Sequence, residues 1–427
     1  MAVSLLHISA ILLLMTCAAQ AGDADNRSRY QFLTANAPIP DQVAAVRKHF
    51  TPQQLRDGSA VAAFGGDFVF AIESDPAPSL VIDDQPPVTL RPLPYHLWVL
   101  TQHLATGTSH AHYYYVLGEI LGGQRFDTAA YGPDSYPQPG VAQGHLSEQR
   151  VIVSQVYHGW RLSYWIYASP GVDPATPAPF MVWQDGHRFV YPGNHARLLT
   201  VVENLVHQHK IPPMVLLFVA PGYIGDFDNS AYLPNEDMHR MRSILYDTVS
   251  DDYNKLLEEI LPEVEKDYKL RADGYSRGIA GQSSGGICAF NSAWWRPQAF
   301  SRVISRIGSF AALQGPESGN MYPTLVRMRD KRSIRVWLED GSYDHEITAG
   351  SWPLQNIEMA NSLKLREYDF HFSFGNNQHG MEHGDAELPE AMTWLWRGYD
   401  PAKTEDRFPM DPSEKKKPFF RVSIANR

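Results

Sequence analysis

Short apolar runs follow one another between residues 60 and 121, and turn-forming residues separate them. Runs such as "FVFAIES" and "HAHYYYVLG" alternate with polar breaks such as "DPAP" and "DDQPP". This spacing is typical of short antiparallel strands. It predicts a small all-β sandwich over 60–121. A polar segment at 22–59, with one short helix over "QVAAVRKHF", precedes the sandwich, and a Gly/Pro-rich linker at 122–149 follows it.

From 150 to 398 the pattern changes to alternating strands and helices. The run "MVLLFVAPG" is almost continuously apolar, as expected for a strand that is buried on both faces. The run "DDYNKLLEEILPEVEKDY" places its apolar residues on one side of a helix. Such alternation predicts an α/β domain with a doubly wound, mostly parallel sheet. Residues 399–427, with the run "SEKKKP", are predicted to form a surface tail.

The start of the chain changes the expected location of the protein. Its apolar run is too short to span a membrane, and Ala19-Gln20-Ala21 fits a cleavage site. We therefore expect a signal peptide at 1–21 and a secreted or periplasmic protein, with lipid attachment at Cys17 as the alternative. Cleavage would leave Cys288, in an apolar helical stretch, as a buried cysteine without a disulfide partner. No later run is long enough for a transmembrane segment.

The charge of the chain limits its partners. The net charge is −10, which argues against nucleic acid or an anionic membrane surface as a partner. The sequence does not predict the oligomeric state.

The motif Gly281-Gln282-Ser283-Ser284-Gly285 lies between a predicted strand and a predicted helix. It has the G-x-S-x-G form of a nucleophile elbow, in which a strained turn lifts a serine hydroxyl out of the sheet. Glycines are needed two residues to either side because larger side chains would collide there. Ser283 is the candidate nucleophile, and Ser284 is the weaker alternative because Gln282 stands two residues before it.

A serine nucleophile needs a base and an orienting acid, and in this fold they are expected in the order serine, acid, histidine. The predicted strand "SIRVWLE" is followed by Asp340 and Asp344, and the predicted strand "DFHFSF" is followed by His379 and His383. Both loops come at the carboxyl ends of strands, where sites in such sheets lie.

His379, Glu382 and His383 also read H-x-x-E-H, a zinc-protease pattern. That pattern requires a helix that points both imidazole rings the same way. Gly380 and Gly384 interrupt the stretch, so the serine interpretation is favoured and no metal or other cofactor is expected.

The stretch "IAGQSSGGICAFNSAWWRPQAFSRVISRIGSF" resembles the putative-esterase family of α/β-hydrolases, which includes enterochelin and feruloyl esterases. The resemblance continues through "MVWQDG", "VWLEDGSYDHEITAGSWPLQN" and "LPEAMTWLW" and covers roughly 150–398. Residues 60–121 resemble the immunoglobulin-like or glycan-binding modules that precede some family members.

The resemblance implies roles for individual residues. Ser283 matches the nucleophile, Asp344 the acid in a G-x-x-D loop, and His379 the base. The implied oxyanion donors are the backbone N–H groups of Ser284, Gly186 and His187, and the implied substrate-binding residues are Trp352 and His383. Two positions depart from the family pattern: Gln378 stands where relatives often have Gly, and Leu245 where they often have Glu.

These features predict an exported serine carboxylic ester hydrolase that acts through an acyl-enzyme, with feruloyl or acetyl sugar esters as the expected substrates. The substrate is expected to be a small molecule or a polysaccharide ester. The alternatives are an enterochelin-type trilactone esterase, an acyltransferase, and a non-catalytic secreted glycan-binding protein. Because all three candidate catalytic residues follow position 280, the sequence also predicts that removal of residues 22–145 leaves small-ester activity measurable but weakens action on polymeric or bulky substrates.

Overall fold

The structure is a computed structural model that describes residues 37–121, 124–191, 194–222 and 236–422. The expected signal peptide at 1–21, including Cys17, lies outside the described residues. The chain divides into two compact units. Unit 1 comprises Met1–Tyr136, Tyr191–Ala196 and Gly380–Leu388, and unit 2 comprises Pro137–Val190, Arg197–His379 and Pro389–Arg427. Within the described ranges, no helix has the length and apolar character needed to cross a membrane.

Unit 1 begins with two helices, α1 (Ile39–His49) and α2 (Pro52–Asp57). Its strands are β1 (Val61–Phe64), β2 (Asp67–Glu73), β3 (Ser79–Ile82), β4 (Val88–Thr89), β5 (Arg91–Leu93), β6 (Leu97–His103), β7 (Thr108–Val116), β8 (Glu119–Ile120) and β9 (Phe126–Ala130). They form two antiparallel sheets, with orders β1-β2-β6-β5 and β4-β3-β7-β8, and β9 pairs with β7.

The two sheets of unit 1 share a core, as the alternating pattern predicts for a β-sandwich. Phe68 and Phe70 of β2 pack with Leu80 and Tyr114 of the other sheet, and the opposite face of β2 packs against α1 and α2. The segment predicted to be a linker at 122–149 contains β9, which the sequence did not indicate because "FDTAA" is short and is flanked by Gly- and Pro-rich stretches.

Unit 2 has one large sheet and a small hairpin. Its strands are β10 (His145–Leu146), β11 (Arg150–Val153), β12 (Arg161–Ala168), β13 (Phe180–Gln184), β14 (Val215–Val219), β15 (Arg277–Gln282), β16 (Arg302–Arg306), β17 (Arg335–Tyr343), β18 (Glu346–Ile347), β19 (Gly350–Ser351) and β20 (Asp369–Gln378). The sheet order is β10-β12-β14-β13-β15-β16-β17-β20, and β11 pairs with β12. Neighbours from β14 to β20 are parallel, whereas β12 is antiparallel to β14.

The helices after β9 are α3 (His187–Val190), α4 (Leu198–His207), α5 (Glu236–Tyr246), α6 (Asp252–Val264), α7 (Ser284–Trp295), α8 (Tyr322–Met328), α9 (Trp352–Leu365), α10 (Glu382–Ala386), α11 (Leu388–Trp396) and α12 (Pro412–Lys416). Short 3₁₀ turns occur at Pro133–Ser135, Gly274–Ser276 and Gly319–Met321. The predicted α/β domain with a mostly parallel sheet is therefore confirmed.

The core of unit 2 agrees with the sequence pattern. Every residue of β14 is buried, as its continuous apolar run predicts. Helix α7 is buried at every position before Trp295, and Cys288 on it is a buried free cysteine. The predicted surface tail is wrong in part, because Phe408 and Met410 are buried while the charged run that follows stays at the surface.

The parallel order of the sheet decides where the candidate site lies. Strands β15, β17 and β20 run in the same direction, so the residues that follow them meet at one edge. Ser283, Asp344 and His379 occupy these three positions.

Candidate active site

Ser283 connects β15 to α7 in an unusual backbone conformation. Its φ is 57° and its ψ is −125°, a region that non-glycine residues rarely adopt. A Cβ at Gly281 would lie 2.2 Å from the oxygen of Gly285, and a Cβ at Gly285 would lie 2.9 Å from the Cβ of Gln184. Gly281 is therefore required by the close approach of the backbone in this turn, and Gly285 by the close approach of the Gln184 side chain.

The turn is held in place by hydrogen bonds of the Ser283 backbone. Its N–H donates to the carbonyl of Arg306 at 2.9 Å, and its carbonyl accepts from the N–H of Gly286 at 2.9 Å. The hydroxyl lies 3.4 Å from that of Ser309. These contacts fix the turn on one side and leave the Ser283 side chain facing the histidine described next.

Ser283, His379 and Asp344 form one hydrogen-bonded chain. His379 Nε2 lies 2.9 Å from Ser283 Oγ, and His379 Nδ1 lies 2.6 Å from Asp344 Oδ1. An ionised carboxylate can only accept, so Nδ1 carries the proton and Nε2 is left to accept one from the hydroxyl. This is the arrangement that a general base next to a serine nucleophile requires.

The electrostatics of Asp344 suit this arrangement. Burial alone would raise the pKa of this carboxyl, but hydrogen bonds with His379, Asp340 and the His345 N–H hold the pKa below its usual value. Asp344 is therefore a carboxylate at neutral pH.

Two rings support the His379 imidazole. His345 stacks on it with centroids 4.1 Å apart, and Trp352 meets it edge to face at 5.9 Å. Trp352 was predicted to bind substrate, but its side chain is 2% exposed. The indole packs against the two imidazoles and offers almost no surface to a ligand, which corrects that prediction.

The predicted oxyanion donors differ in availability. The N–H of Gly186 donates to the carbonyl of Val219 at 2.8 Å, so the prediction that it serves as a donor is wrong. No protein acceptor for the N–H groups of Ser284 and His187 is found among the described residues. Ser284 begins α7 and His187 begins α3, so both N–H groups lie in first helical turns, where intrahelical acceptors are missing.

A buried ion pair, which the sequence did not predict, connects the turn after β13 with the turn at Ser283. Arg242 of α5 donates to both oxygens of Asp185 at 2.7 Å and 2.7 Å, and to the carbonyl of Gln282 at 3.2 Å. Asp185 is fully buried, and burial would raise its pKa, but the Arg242 charge and hydrogen bonds lower it below the usual value. Nothing in the sequence pairs Asp185 with a residue so far along the chain.

Leu245, which replaces the Glu common in relatives, is fully buried in the core of unit 2. The polar contact expected to be missing at that position is therefore replaced by apolar packing.

His383 lies in a different element from His379. It is on α10, is buried in unit 1, and its Nδ1 lies 3.3 Å from Thr108 Oγ1, while Nε2 lies 3.4 Å from Glu387. Helix α10 starts at Glu382, so the single helix that H-x-x-E-H requires is not formed. Among the described residues, the group with the geometry to hold a metal ion is Asp344, His345 and His379, which excludes Glu382 and His383.

Comparisons with known proteins agree with this fold. A family described as putative esterase matches residues 158–389, a little over half of the chain. The structure of enterobactin esterase from Shigella flexneri with enterobactin is similar, with a TM-score of 0.53, 16% identity, and coverage of 78% of this chain and 93% of that chain. The ferric enterobactin esterase from Salmonella typhimurium has a TM-score of 0.53, 15% identity, and coverage of 78% and 94%.

A ferulic acid esterase from the anaerobic fungus Anaeromyces mucronatus has a TM-score of 0.46, 16% identity, and coverage of 63% of this chain and 97% of that chain. A comparison with curated protein sequences finds no match. Because the identities are this low, the two enterobactin esterase structures establish a similarity of fold alone.

Proposed function

Because the chain belongs to the putative esterase family and is a carboxylic ester hydrolase, we propose that Ser283, His379 and Asp344 form its catalytic triad. The observation that carries the proposal is the hydrogen-bonded chain from Ser283 Oγ through both nitrogens of His379 to Asp344 Oδ1. The strained φ of Ser283 supports it, since such strain is common where a nucleophile must be lifted out of a sheet.

In the first half of the proposed reaction, His379 Nε2 takes the hydroxyl proton as Ser283 Oγ forms a bond to the ester carbonyl carbon. The negative charge on the carbonyl oxygen would be stabilised by the N–H groups of Ser284 and His187. Asp344 holds the Nδ1 proton and stabilises the imidazolium. The C–O bond then breaks, and His379 gives its proton to the departing alcohol.

In the second half, water attacks the acyl-enzyme while His379 again accepts a proton. The tetrahedral intermediate breaks down to the free acid, and the proton returns to Ser283. The net reaction consumes one ester and one water and needs no cofactor.

We propose feruloyl or acetyl esters of sugars as the substrate class. An acidic chain with an aromatic content of 12% suits a neutral aromatic or sugar ester better than an anionic trilactone. A catecholate trilactone is the alternative substrate, acyl transfer to a sugar is the alternative reaction, and glycan binding without catalysis is the alternative class. Export, and an immunoglobulin-like, glycan-binding character of unit 1, belong to the same proposal.

Ser283→Ala tests the mechanism. The variant should fold, lose about 10⁴-fold of the ester hydrolysis, and fail to react with a fluorophosphonate probe. Ser284→Ala is the matched control, because it keeps the backbone N–H and should still be labelled. A folded Ser283→Ala protein that keeps its activity would exclude the serine mechanism.

A panel of esters tests the substrate class. Wild-type protein would be assayed on p-nitrophenyl acetate, a feruloyl sugar, acetylated xylan and a catecholate trilactone, each with and without a sugar acceptor. Preference for the trilactone would favour the siderophore alternative, and turnover that requires the acceptor would favour acyl transfer. No turnover of any ester would favour the glycan-binding alternative.

A further inference from the structure

The sequence offered two acids, Asp340 near the end of β17 and Asp344 directly after it, and the hydrogen-bonded chain uses Asp344 alone. Asp340, the other one, is fully buried. Its Oδ1 accepts the N–H of Gly341 at 2.8 Å. A fully buried carboxyl group beside the proposed triad needs a physical explanation, because burying a charge without a partner is costly.

The side chains of the two acids are in contact, and each has one oxygen without a donor in the part of the chain that the structure describes. Oδ2 of Asp340 and Oδ2 of Asp344 are buried, and neither has a donor among the described residues. The two carboxyl groups are within hydrogen-bonding distance of each other. Two carboxylates can only accept, so this contact is favourable when one of them is protonated. One proton between them gives each unsatisfied oxygen a partner.

The surroundings decide which acid holds the proton. Burial raises the pKa of Asp340 well above its usual value, and the neighbouring charges of Asp344 and Glu339 raise it further. Glu339 lies on the same strand and binds the amide of Asn377 at 3.1 Å. Asp344, in contrast, faces His379 and the N–H of His345, which lower its pKa. Asp340 is therefore the neutral partner.

We propose that Asp340 is a positioning residue that acts as a neutral carboxylic acid and donates its O–H to Oδ2 of Asp344. Engaging Oδ2 orients the carboxylate so that Oδ1 faces His379 Nδ1, and it draws negative charge away from that oxygen. The inference rests on the proposed triad and deepens it, since Asp340 touches neither substrate nor the reacting atoms.

Asp340→Asn and Asp340→Leu form the matched pair of variants. The Asn amide can still donate to Asp344 Oδ2, whereas Leu has a similar size and cannot donate. We expect Asn to keep kcat within about 5-fold and Leu to lose about 10²-fold in kcat with little change in KM, the scale of a misplaced catalytic group. If Asn is impaired as much as Leu, the donor role is wrong.

The pH profile separates this role from simple structural damage. Without the donor, more negative charge stays on the Asp344 oxygen that faces the base. The acidic limb of kcat/KM should move up by about half a pH unit in the Leu variant and stay in place in the Asn variant. If the acidic limb stays in place in both variants, or moves to lower pH in the Leu variant, the proposal is overturned.

Infrared spectroscopy gives a readout that does not depend on activity or on the Leu variant folding. In a Ser283→Ala background at neutral pH, the protein with Asp340 should show the carbonyl stretch of a protonated carboxylic acid, and Asp340→Asn should lose it. Loss of a carboxylate band instead would refute the neutral state of Asp340. Because this measurement needs no turnover, a failure of the proposed function would show separately, as a Ser283→Ala protein that keeps its activity.

Discussion

Arg242→Met should be among the most damaging single substitutions in unit 2. Met keeps most of the volume of the side chain but removes the guanidinium, so fully buried Asp185 loses both of its charged donors and Gln282 loses one. Hydrogen bonds to charged groups contribute about 1.5–3 kcal/mol each. The loss of two such bonds is consistent with the decrease of about 3–5 kcal/mol in the free energy of unfolding that follows removal of one partner of a buried ion pair.

The stability lost in Arg242→Met should depend on pH, and the direction of this dependence follows from the pKa of Asp185. In the wild type the Asp185 pKa lies below 3.8, so the stability from the pair is present above that pH and is lost as the pH falls. In the variant, burial acts without Arg242 and raises the Asp185 pKa. The folded variant then loses stability as the pH rises past 3.8. The difference between the two proteins should therefore grow between about pH 4.5 and pH 8.

Urea unfolding followed by tryptophan fluorescence at both pH values would measure this difference. Arg296→Met is the control, because Arg296 pairs with Asp251 through similar contacts but the two side chains are 23% and 25% exposed. Its loss should be about 1 kcal/mol or less, as for other solvated pairs. A loss below about 1 kcal/mol for Arg242→Met at pH 8, or a difference that shrinks as the pH rises, would refute the reasoning. The double variant Asp185→Asn/Arg242→Met should recover part of the loss, which isolates the pair itself.

Three further outcomes are expected. His379→Ala should cost about as much kcat/KM as Ser283→Ala, whereas His383→Ala should cost about 10² at most, and reversed values would move the base to His383. Dialysis against EDTA should leave activity unchanged, and zinc-dependent recovery of a lost activity would restore the metal interpretation. Deletion of 22–145 should abolish even small-ester activity, contrary to the sequence-based expectation, because Gly380–Leu388, directly after His379, belongs to unit 1. A soluble, active deletion variant would restore that expectation.

Several features of the fold and the candidate site follow from local sequence. The apolar run of β14 predicts a strand buried on both faces, because a parallel sheet covered by helices leaves neither face to solvent. The turn at Ser283 is encoded locally in part, because a Cβ at Gly281 would collide with the backbone of Gly285, whereas the glycine at 285 is required by the distant Gln184. Parallel strands then bring the residues after them to one edge, so the order of Ser283, Asp344 and His379 along the chain predicted their proximity.

Other features depend on pairings between distant parts of the chain. The sequence could not choose Gly186 or His187 as a donor, because the choice depends on a hydrogen bond to Val219 in the next strand. It could not pair Arg242 with Asp185, because the two residues are far apart along the chain and come together only when α5 packs against the turn after β13.

The two acids at the end of β17, Asp340 and Asp344, show the same division most clearly. The sequence placed Asp340 and Asp344 in one loop region but left their protonation open. Burial of Asp340 and the contacts of Asp344 with His379 separate their pKa values in opposite directions. Periodicity and turn chemistry act over a few residues, so sequence alone predicted the strands, the elbow and the edge where the site lies. Charge, burial and hydrogen-bond occupancy depend on every neighbour in space, so only the tertiary structure decided them.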